Sequence, residues 1–220
     1  MKFAAKSKIA LLIALLPIVA LSGCTDWKKK HDALNVENQN VKGLLERERA
    51  EKAQMADQLA KDQQIIADLQ KQIVDKKKSP AEATGFGEGY DVAFDAAAGT
   101  ITVTLSDAIL FDSGKASLKN ASSKELDHIY SVLKAKYPGR QIEVAGHTDT
   151  DPIKKSSWKD NLELSSQRAM SVARYLIQKG VADNRIGATG YGSARPIATN
   201  STASGKQKNR RVEIVVHMMK

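Results

Sequence analysis

The feature that most constrains the fold of this chain is a stretch of about fifty residues that runs from Trp27 to about Lys76. It contains no proline and one glycine, Gly43, and it is rich in the helix-forming residues Ala, Glu, Gln, Lys and Leu. This composition predicts one long helical arm over residues 27–77, which would span about 75 Å. Only the sequence after about Gly99 has the turn residues of a compact fold, and its length of about 120 residues suffices for one globular domain.

The apolar residues of the arm form an incomplete heptad seam. With Leu34 at position d, the other apolar a and d positions are Val41, Leu45, Met55, Leu59, Ile66, Leu69 and Ile73. Polar residues interrupt this seam at Asn38, Glu48, Lys52 and Asp62. The pattern predicts either a weak coiled coil, formed with a second copy or with a partner protein, or a single solvated helix.

Residues 1–23 have the organisation of an export signal. A short cationic segment precedes the apolar run IALLIALLPIVA, which is shorter than the about 20 residues that a membrane-spanning helix needs. The following LSGC resembles the lipobox of bacterial lipoproteins. This resemblance implies that Cys24 carries lipid, that residues 24–26 form the lipidated N-terminus, and, because Thr25 and not Asp follows the cysteine, that the anchor lies in the outer membrane. The alternative is an uncleaved anchor with a free thiol.

The chain is basic, with a formal net charge of +9. Removal of the signal with its three lysines would leave about six positive charges, which suits an anionic polymer or a membrane surface. Nucleic acid is not expected as a partner, because the basic residues are dispersed and aromatic residues make up only 5% of the chain.

Residues 78–98, which include KSPAEATGFGEGY, are predicted to form a flexible linker because proline and glycines break the periodicity. After them, alternation at Ile101, Val103 and Leu105 predicts a strand. A first helix is predicted to begin with a capping box of Ser122 and Glu125.

Further along the chain, QIEVAG predicts a second strand and RIGATGYG and RRVEIVVHM predict two more. A second helix is predicted to begin at the cap Ser157 and to bury Leu162, Ala169, Val172, Ala173 and Leu176. The resulting β-α-β-α-β-β order predicts an α+β domain with both helices on one face of a small mixed sheet.

Charged and amide side chains are concentrated between the second strand and the second helix, in HTDTDPIKKSSWKDNLELSSQRA. Asp149 follows the strand end, and Asn161, Leu164 and Arg168 share one side of the helix. Such an arrangement can place Asp149 opposite Arg168 across a cleft and hold a group that carries both an ammonium and a carboxylate. A direct salt bridge between the two residues is the alternative, and the spacing alone does not decide between them.

The segments GHTDT, NLELSSQRA, GYGSARPIATN and NRRVEI resemble, in order, the motifs of the OmpA-like C-terminal domain, which binds peptidoglycan noncovalently. The resemblance covers about residues 99–217 of a domain assigned to residues 99–220. It implies that Asp149 and Arg168 hold the diaminopimelate of the peptide stem. The other site residues that it implies are Thr148, Asn161, Leu164, Asn209 and Arg210.

These observations predict an outer-membrane lipoprotein that links the membrane to the cell wall. The loop between Asp149 and Asn161 resembles the longer version in the flagellar stator protein MotB, so a wall-anchoring component of a motor or envelope complex is the alternative. Stator proteins need a membrane helix with an ion-carrying Asp. The apolar run of this chain is short and contains no acidic residue. No enzyme, metal or cofactor is expected, because no nucleophile motif, metal-ligand cluster or carboxylate pair accompanies His147 and Asp149.

Overall fold

The computed structural model describes residues 16–75, 77–154 and 156–219, with the backbone alone for residues 16–26. Most of the predicted signal peptide and the side chain of Cys24 therefore lie outside the described residues. No helix in the described ranges is long and apolar enough to cross a membrane. The chain divides into two units, Met1–Gln58 and Leu59–Lys220.

A long helix, α1, runs from Leu16 to Val74 and confirms the predicted helical arm. In the first unit its apolar side chains are exposed. Leu34, for example, is 56% exposed and Met55 is 69% exposed. In the second unit Ile66 and Leu69 of the same helix are buried in the hydrophobic core of the domain. The end of the heptad seam thus packs on its own chain, and a coiled coil stays a prediction for the part before it.

The second unit contains every strand that the structure describes. After α1, the elements are α2 (Pro80–Thr84), β1 (Asp91–Asp95), β2 (Thr100–Ser106), α3 (Asp107–Leu110), α4 (Ser122–Lys136), β3 (Gln141–His147), α5 (Asn161–Lys179), a 3-10 turn (Asp183–Arg185), β4 (Ile186–Gly190), α6 (Ala203–Asn209) and β5 (Arg211–His217). The order β2-α4-β3-α5-β4-β5 confirms the predicted β-α-β-α-β-β arrangement. The additional short helices lie in the connections, and β1 extends the sheet before β2.

The five strands form one mixed sheet in the spatial order β1-β2-β5-β3-β4. Its one parallel pair is β3 with β4, whereas β1–β2, β2–β5 and β5–β3 are antiparallel. Because α5 connects the two parallel strands, it must cross one face of the sheet. The register of β3 and β5 pairs His147 with Arg211, so the end of β3 lies beside the start of β5.

The hydrophobic core lies between one face of this sheet and the helices. Alternate residues of β2 are buried while the threonines between them are half-buried, as a strand covered on one face requires. The helices contribute Leu126, Ile129, Val132 and Leu133 from α4 and Ala169, Val172, Ala173 and Leu176 from α5. The expectation that Leu162 lies in this core is wrong, because this residue of the first turn of α5 is 55% exposed.

The prediction of a flexible linker over residues 78–98 is wrong, because this segment contains α2 and β1. Ser79 and Glu82 form a capping box at the start of α2, and Gly85 ends the helix in the left-handed conformation with φ of 90°. Phe86 is fully buried and stacks on Tyr137 with ring centroids 6.0 Å apart. The glycines therefore shape tight turns of the folded domain.

Two predicted helix caps differ from the structure. Ser122 donates its hydroxyl to Lys119 O and does not cap α4. The carboxylate of Glu125, its predicted capping partner, instead accepts from the Tyr90 hydroxyl at 2.6 Å. Helix α5 is capped by Asp160, which accepts from Glu163 N, and not by Ser157.

Candidate functional site

Several of the predicted site residues meet at the end of β3, where the backbone is held by several hydrogen bonds. Thr148 N donates to Gly192 O, and the Thr148 hydroxyl donates to Asp149 O. The Asn161 amide donates to the backbone oxygens of Asp149 at 3.3 Å and Asp151 at 2.9 Å. Thr148 and Asn161 thus fix the path of the chain around Asp149.

Asp149 is 5% exposed and pairs with Arg210. Its Oδ2 accepts from Arg210 Nη1, and its Oδ1 accepts from Asp151 N at 3.1 Å. Arg210 lies between α6 and β5, and the pairing of β5 with β3 brings it beside Asp149. The Arg210 side chain is 37% exposed, so the Asp149–Arg210 pair reaches the surface of the protein on its Arg210 side.

Arg168 is 3% exposed and has a different partner, Asp107. Its Nη1 lies 3.1 Å from Asp107 Oδ1, and its Nε donates to Lys115 O at 3.0 Å. The guanidinium also lies 5.3 Å from the centroid of the Phe111 ring, within the range of a cation–π contact. The sequence alone did not identify Asp107, Phe111 or Lys115 as residues of the site. The one sequence feature that could have indicated them is Asp107, a carboxylate directly after the predicted first strand.

Asp149 and Arg168 line the same cleft, which has a volume of about 1350 Å³. Among the described residues there is no ion pair between the two, so the direct salt bridge is not formed in this structure. Both residues are held by other charges, and the space between the elements that carry them is open. The cleft therefore presents an acidic and a basic side chain to any group that enters it.

The ionisation of the buried groups reflects their surroundings. Burial raises the pKa of Asp107, and the charge of Asp149 raises it further, whereas Arg168, Arg210 and Lys119 act in the opposite direction. Burial likewise lowers the pKa of Arg168, and the charge of Arg210 lowers it further, against the effect of Asp107 and Asp149. Asp107 and Arg168 therefore belong to one electrostatic cluster with Asp149 and Arg210.

Described residues of the loop between Asp149 and α5 line the cleft. Trp158 Nε1 donates to Gly114 O at 2.8 Å, which ties this loop to the turn after α3. Asp151 pairs with Lys206 at 2.7 Å, and this hydrogen bond lowers the pKa of Asp151. Lys154 and Trp158 both line the cleft.

The remaining predicted site residues have different positions. Leu164 is buried and forms part of the cleft wall. Asn209 is fully buried, and its amide bonds to Ile197 N, Ala198 N, Ala198 O and Asn200 Oδ1. These four hydrogen bonds use its capacity, so Asn209 holds the loop before α6 and does not reach a ligand.

His147 lies on β3 with its ring between two other groups. Its Nε2 lies 3.5 Å from Glu213 Oε2, and its ring stacks on Tyr191 with centroids 5.3 Å apart. Burial raises the pKa of Glu213, but the close approach of His147 and the charge and hydrogen bond of Arg211 outweigh it, so the net change is a decrease. In the part of the chain that the structure describes, no three His, Cys, Asp or Glu side chains are grouped to hold a metal ion.

The chain is similar to several known cell-envelope proteins. It is 38% identical over 120 residues to Motility protein B of Bacillus subtilis, covering 53% of this chain and 44% of the relative. It is 41% identical over 128 residues to the probable lipoprotein YiaD of Escherichia coli, covering 58% of this chain and 56% of the relative. The chain thus spans about half the length of these two relatives. The structure also resembles the cell wall anchor of the T6SS from Pseudomonas aeruginosa, with a TM-score of 0.53, 35% identity and coverage of 57% and 87% of the two chains.

Two further matches establish the family. The Peptidoglycan-associated lipoprotein of Rhizobium meliloti is 33% identical over 141 residues, and the match covers 64% of this chain and 77% of that protein. The model of the OmpA family matches residues 110–210, a range that includes Asp149, Arg168 and Arg210. Because of these two matches and the shared α+β fold, the chain belongs to the OmpA family.

Proposed function

We propose that this protein binds peptidoglycan noncovalently and that the bound group is the free amino acid end of diaminopimelate in the peptide stem. The observation that carries the proposal is the cleft at the end of β3, where buried Asp149 and Arg168 line one space without pairing with each other. Two relatives support it by their names, the Peptidoglycan-associated lipoprotein and the cell wall anchor of the T6SS.

The chemistry of the cleft suits this ligand. A guanidinium binds a carboxylate through two parallel hydrogen bonds, and a carboxylate accepts from an ammonium. Because both groups are buried, each contact is stronger than it would be in water. The site is held before binding by Lys115 O on Arg168 and by Asn161 on the Asp149 backbone, which lowers the cost of ordering it.

We also propose that the protein is an outer-membrane lipoprotein anchored through Cys24. Similarity to YiaD and to the Peptidoglycan-associated lipoprotein supports this assignment. The part of helix α1 between Cys24 and Leu59 would span about 50 Å, so it can carry the binding domain away from an anchored end. Metabolic labelling with palmitate would test the anchor, since Cys24→Ser should lose the label.

A second candidate is a wall-anchoring component of a motor or related envelope complex, which the similarity to Motility protein B favours. The two functions share the wall-binding site and differ in the membrane and the partners. Fractionation of inner and outer membranes distinguishes them, because the lipoprotein function predicts the outer fraction.

The binding function can be tested by co-sedimentation of the protein with purified sacculi. Asp149→Asn and Arg168→Lys keep the size of each side chain but remove the charge or the planar fork. Each variant should reduce the bound fraction about tenfold or more, since hydrogen bonds between charged groups contribute about 1.5–3 kcal/mol. Arg174→Ala is the matched control, because Arg174 is an exposed arginine on the same helix.

Urea denaturation of the three variants shows whether a loss of binding reflects unfolding. Wild-type retention of both site variants on sacculi would contradict the proposal. Analysis of the supernatant for released muropeptides tests hydrolysis at the same time, and none is expected.

A further inference from the structure

The carboxylate of Asp107 has an unusual environment for a buried group. Asp107 is 8% exposed, and it lines the cleft together with Asp149, Arg168 and Arg210. Its Oδ1 lies 3.1 Å from Arg168 Nη1, but the N–H is not directed at it, and this oxygen accepts no hydrogen bond from the described residues. Buried carboxylate oxygens in folded proteins are normally hydrogen-bonded, so this one is available to a donor that the protein does not supply.

Like charges lie near each other in this cleft. The charge of Asp149 acts on Asp107, and the charge of Arg210 acts on Arg168. The two ion pairs, Asp107 with Arg168 and Asp149 with Arg210, hold these like charges close together, and the attraction between opposite charges exceeds the repulsion. A cation shared by the two carboxylates and an anion shared by the two guanidiniums would relieve both repulsions.

The backbone of Asp107 is tied to the other half of the cluster. Asp107 N donates to Arg210 O at 3.0 Å, so the start of α3 and the start of β5 are held together. The hydrogen bond from Nε to Lys115 O orients Arg168, and within the described part of the chain its Nη2 has no hydrogen bond. One edge of the guanidinium is therefore left for a ligand carboxylate.

We propose that Asp107 is a second acceptor for the ligand ammonium, which is held between Asp107 and Asp149 while the ligand carboxylate is held between Arg168 and Arg210. This inference rests on the proposed function and extends it from two residues to four. The site then selects a stem residue whose side chain ends in a complete amino acid, with both ammonium and carboxylate. A stem with lysine at this position offers only the ammonium, and one with 2-aminopimelate offers only the carboxylate.

The test uses the full chain and three synthetic stem tetrapeptides that carry diaminopimelate, lysine or 2-aminopimelate at the third position. Binding is measured by isothermal titration calorimetry. In Asp107→Asn, affinity for the diaminopimelate and lysine peptides should fall about ten- to one-hundredfold, because a charge-assisted hydrogen bond is lost. Affinity for the 2-aminopimelate peptide should stay within about twofold, since that peptide has no ammonium at this end.

The 2-aminopimelate peptide separates ligand contact from positioning. If Asp107 only orients Arg168, the variant loses affinity for this peptide as well, and the proposal is overturned. It is also overturned if Asp107→Asn binds the diaminopimelate peptide like the wild type. If the wild-type protein binds the diaminopimelate peptide, the proposed function still stands even when the role of Asp107 is overturned. A wild-type protein that binds none of the peptides would refute both the proposed function and the role of Asp107.

Two further variants make the test robust. Asp107→Glu retains the charge opposite Arg168 but displaces the carboxylate, and it replaces Asp107→Asn if that variant does not fold. It should also lose affinity for the diaminopimelate peptide more than for the 2-aminopimelate peptide. Asp127→Asn is the control, because Asp127 is an exposed carboxylate on α4 that pairs with Lys179 at 2.7 Å away from the cleft.

Discussion

Gly146 shows how a single residue determines the position of the site. It lies on β3 close to Asp149, and a Cβ at this position would lie 2.1 Å from Ser165 O of α5. Gly190 on the adjacent β4 is equally close to α5, since a Cβ there would lie 2.1 Å from Ser166 Oγ. These two glycines allow the helix that carries Arg168 to approach the strand that leads to Asp149.

Gly146→Ala should therefore destabilise the protein and weaken sacculus binding together. Backbone must move to accommodate the methyl group, so the free energy of unfolding should fall by about 3 kcal/mol. Gly187→Ala on β4 is the control, because no atom lies within 4 Å of its added Cβ. Urea denaturation measures the difference, and equal stability of the two variants would show that α5 can shift away from the sheet without cost.

At the residue scale, sequence motifs located the cleft but not its internal pairing. Asp149 and Arg168 could be predicted because each lies in a recognisable segment. The pairing of Asp149 with Arg210 joins residues 61 positions apart and depends on the register of β5 beside β3. No local pattern encodes that register, which is set by how the buried faces of both strands pack. Asp107 was missed for the same reason.

At the scale of elements, the arm and the linker show where periodicity misleads. Asp62 was read as an interruption of the heptad seam, yet it is 1% exposed and forms two hydrogen bonds of 2.6 Å with Arg140. Ile66 and Leu69 were correctly identified as an apolar stripe, but the stripe packs on the globular domain. An apolar stripe on a helix indicates that the helix packs against another apolar surface. It does not show whether that surface belongs to another chain or to the same chain.

The ion pair of Asp62 and Arg140 should stabilise the second unit substantially. Removing one partner of a buried pair leaves the other charge uncompensated, so Asp62→Ala should lower the free energy of unfolding by about 3–5 kcal/mol. Glu48→Ala breaks an exposed pair on the same helix, Glu48 with Lys52 at 2.7 Å, and should cost less than about 1 kcal/mol. Chemical denaturation that gave similar values for both variants would mean that the end of α1 is not an integral part of the fold.

At the scale of the whole molecule, the boundary of the folded domain lies within helix α1 and not after it. The second unit begins at Leu59, whereas the positions of glycine and proline predicted a domain start at Gly99, forty residues later. The predicted start was wrong because Pro80 lies in the first turn of α2 and the glycines that follow it form turns of the folded domain. The residues of the candidate site and the core lie in this second unit, whereas the described side chains of the first unit are exposed.

Two truncated chains test this division. A chain of residues 59–220 retains Asp62, Ile66 and Leu69, so it should fold cooperatively and bind sacculi with the affinity of the longer chain, measured on protein without the lipid. A chain of residues 79–220 lacks these contacts and leaves Arg140 without its carboxylate, so its midpoint of urea denaturation should be clearly lower. If the chain from residue 59 bound more than about tenfold more weakly, the arm would contribute affinity, for example by joining two binding domains. Equal affinity would instead mean that the arm does not contribute to binding, so that its proposed role is to supply distance from the proposed anchor at Cys24.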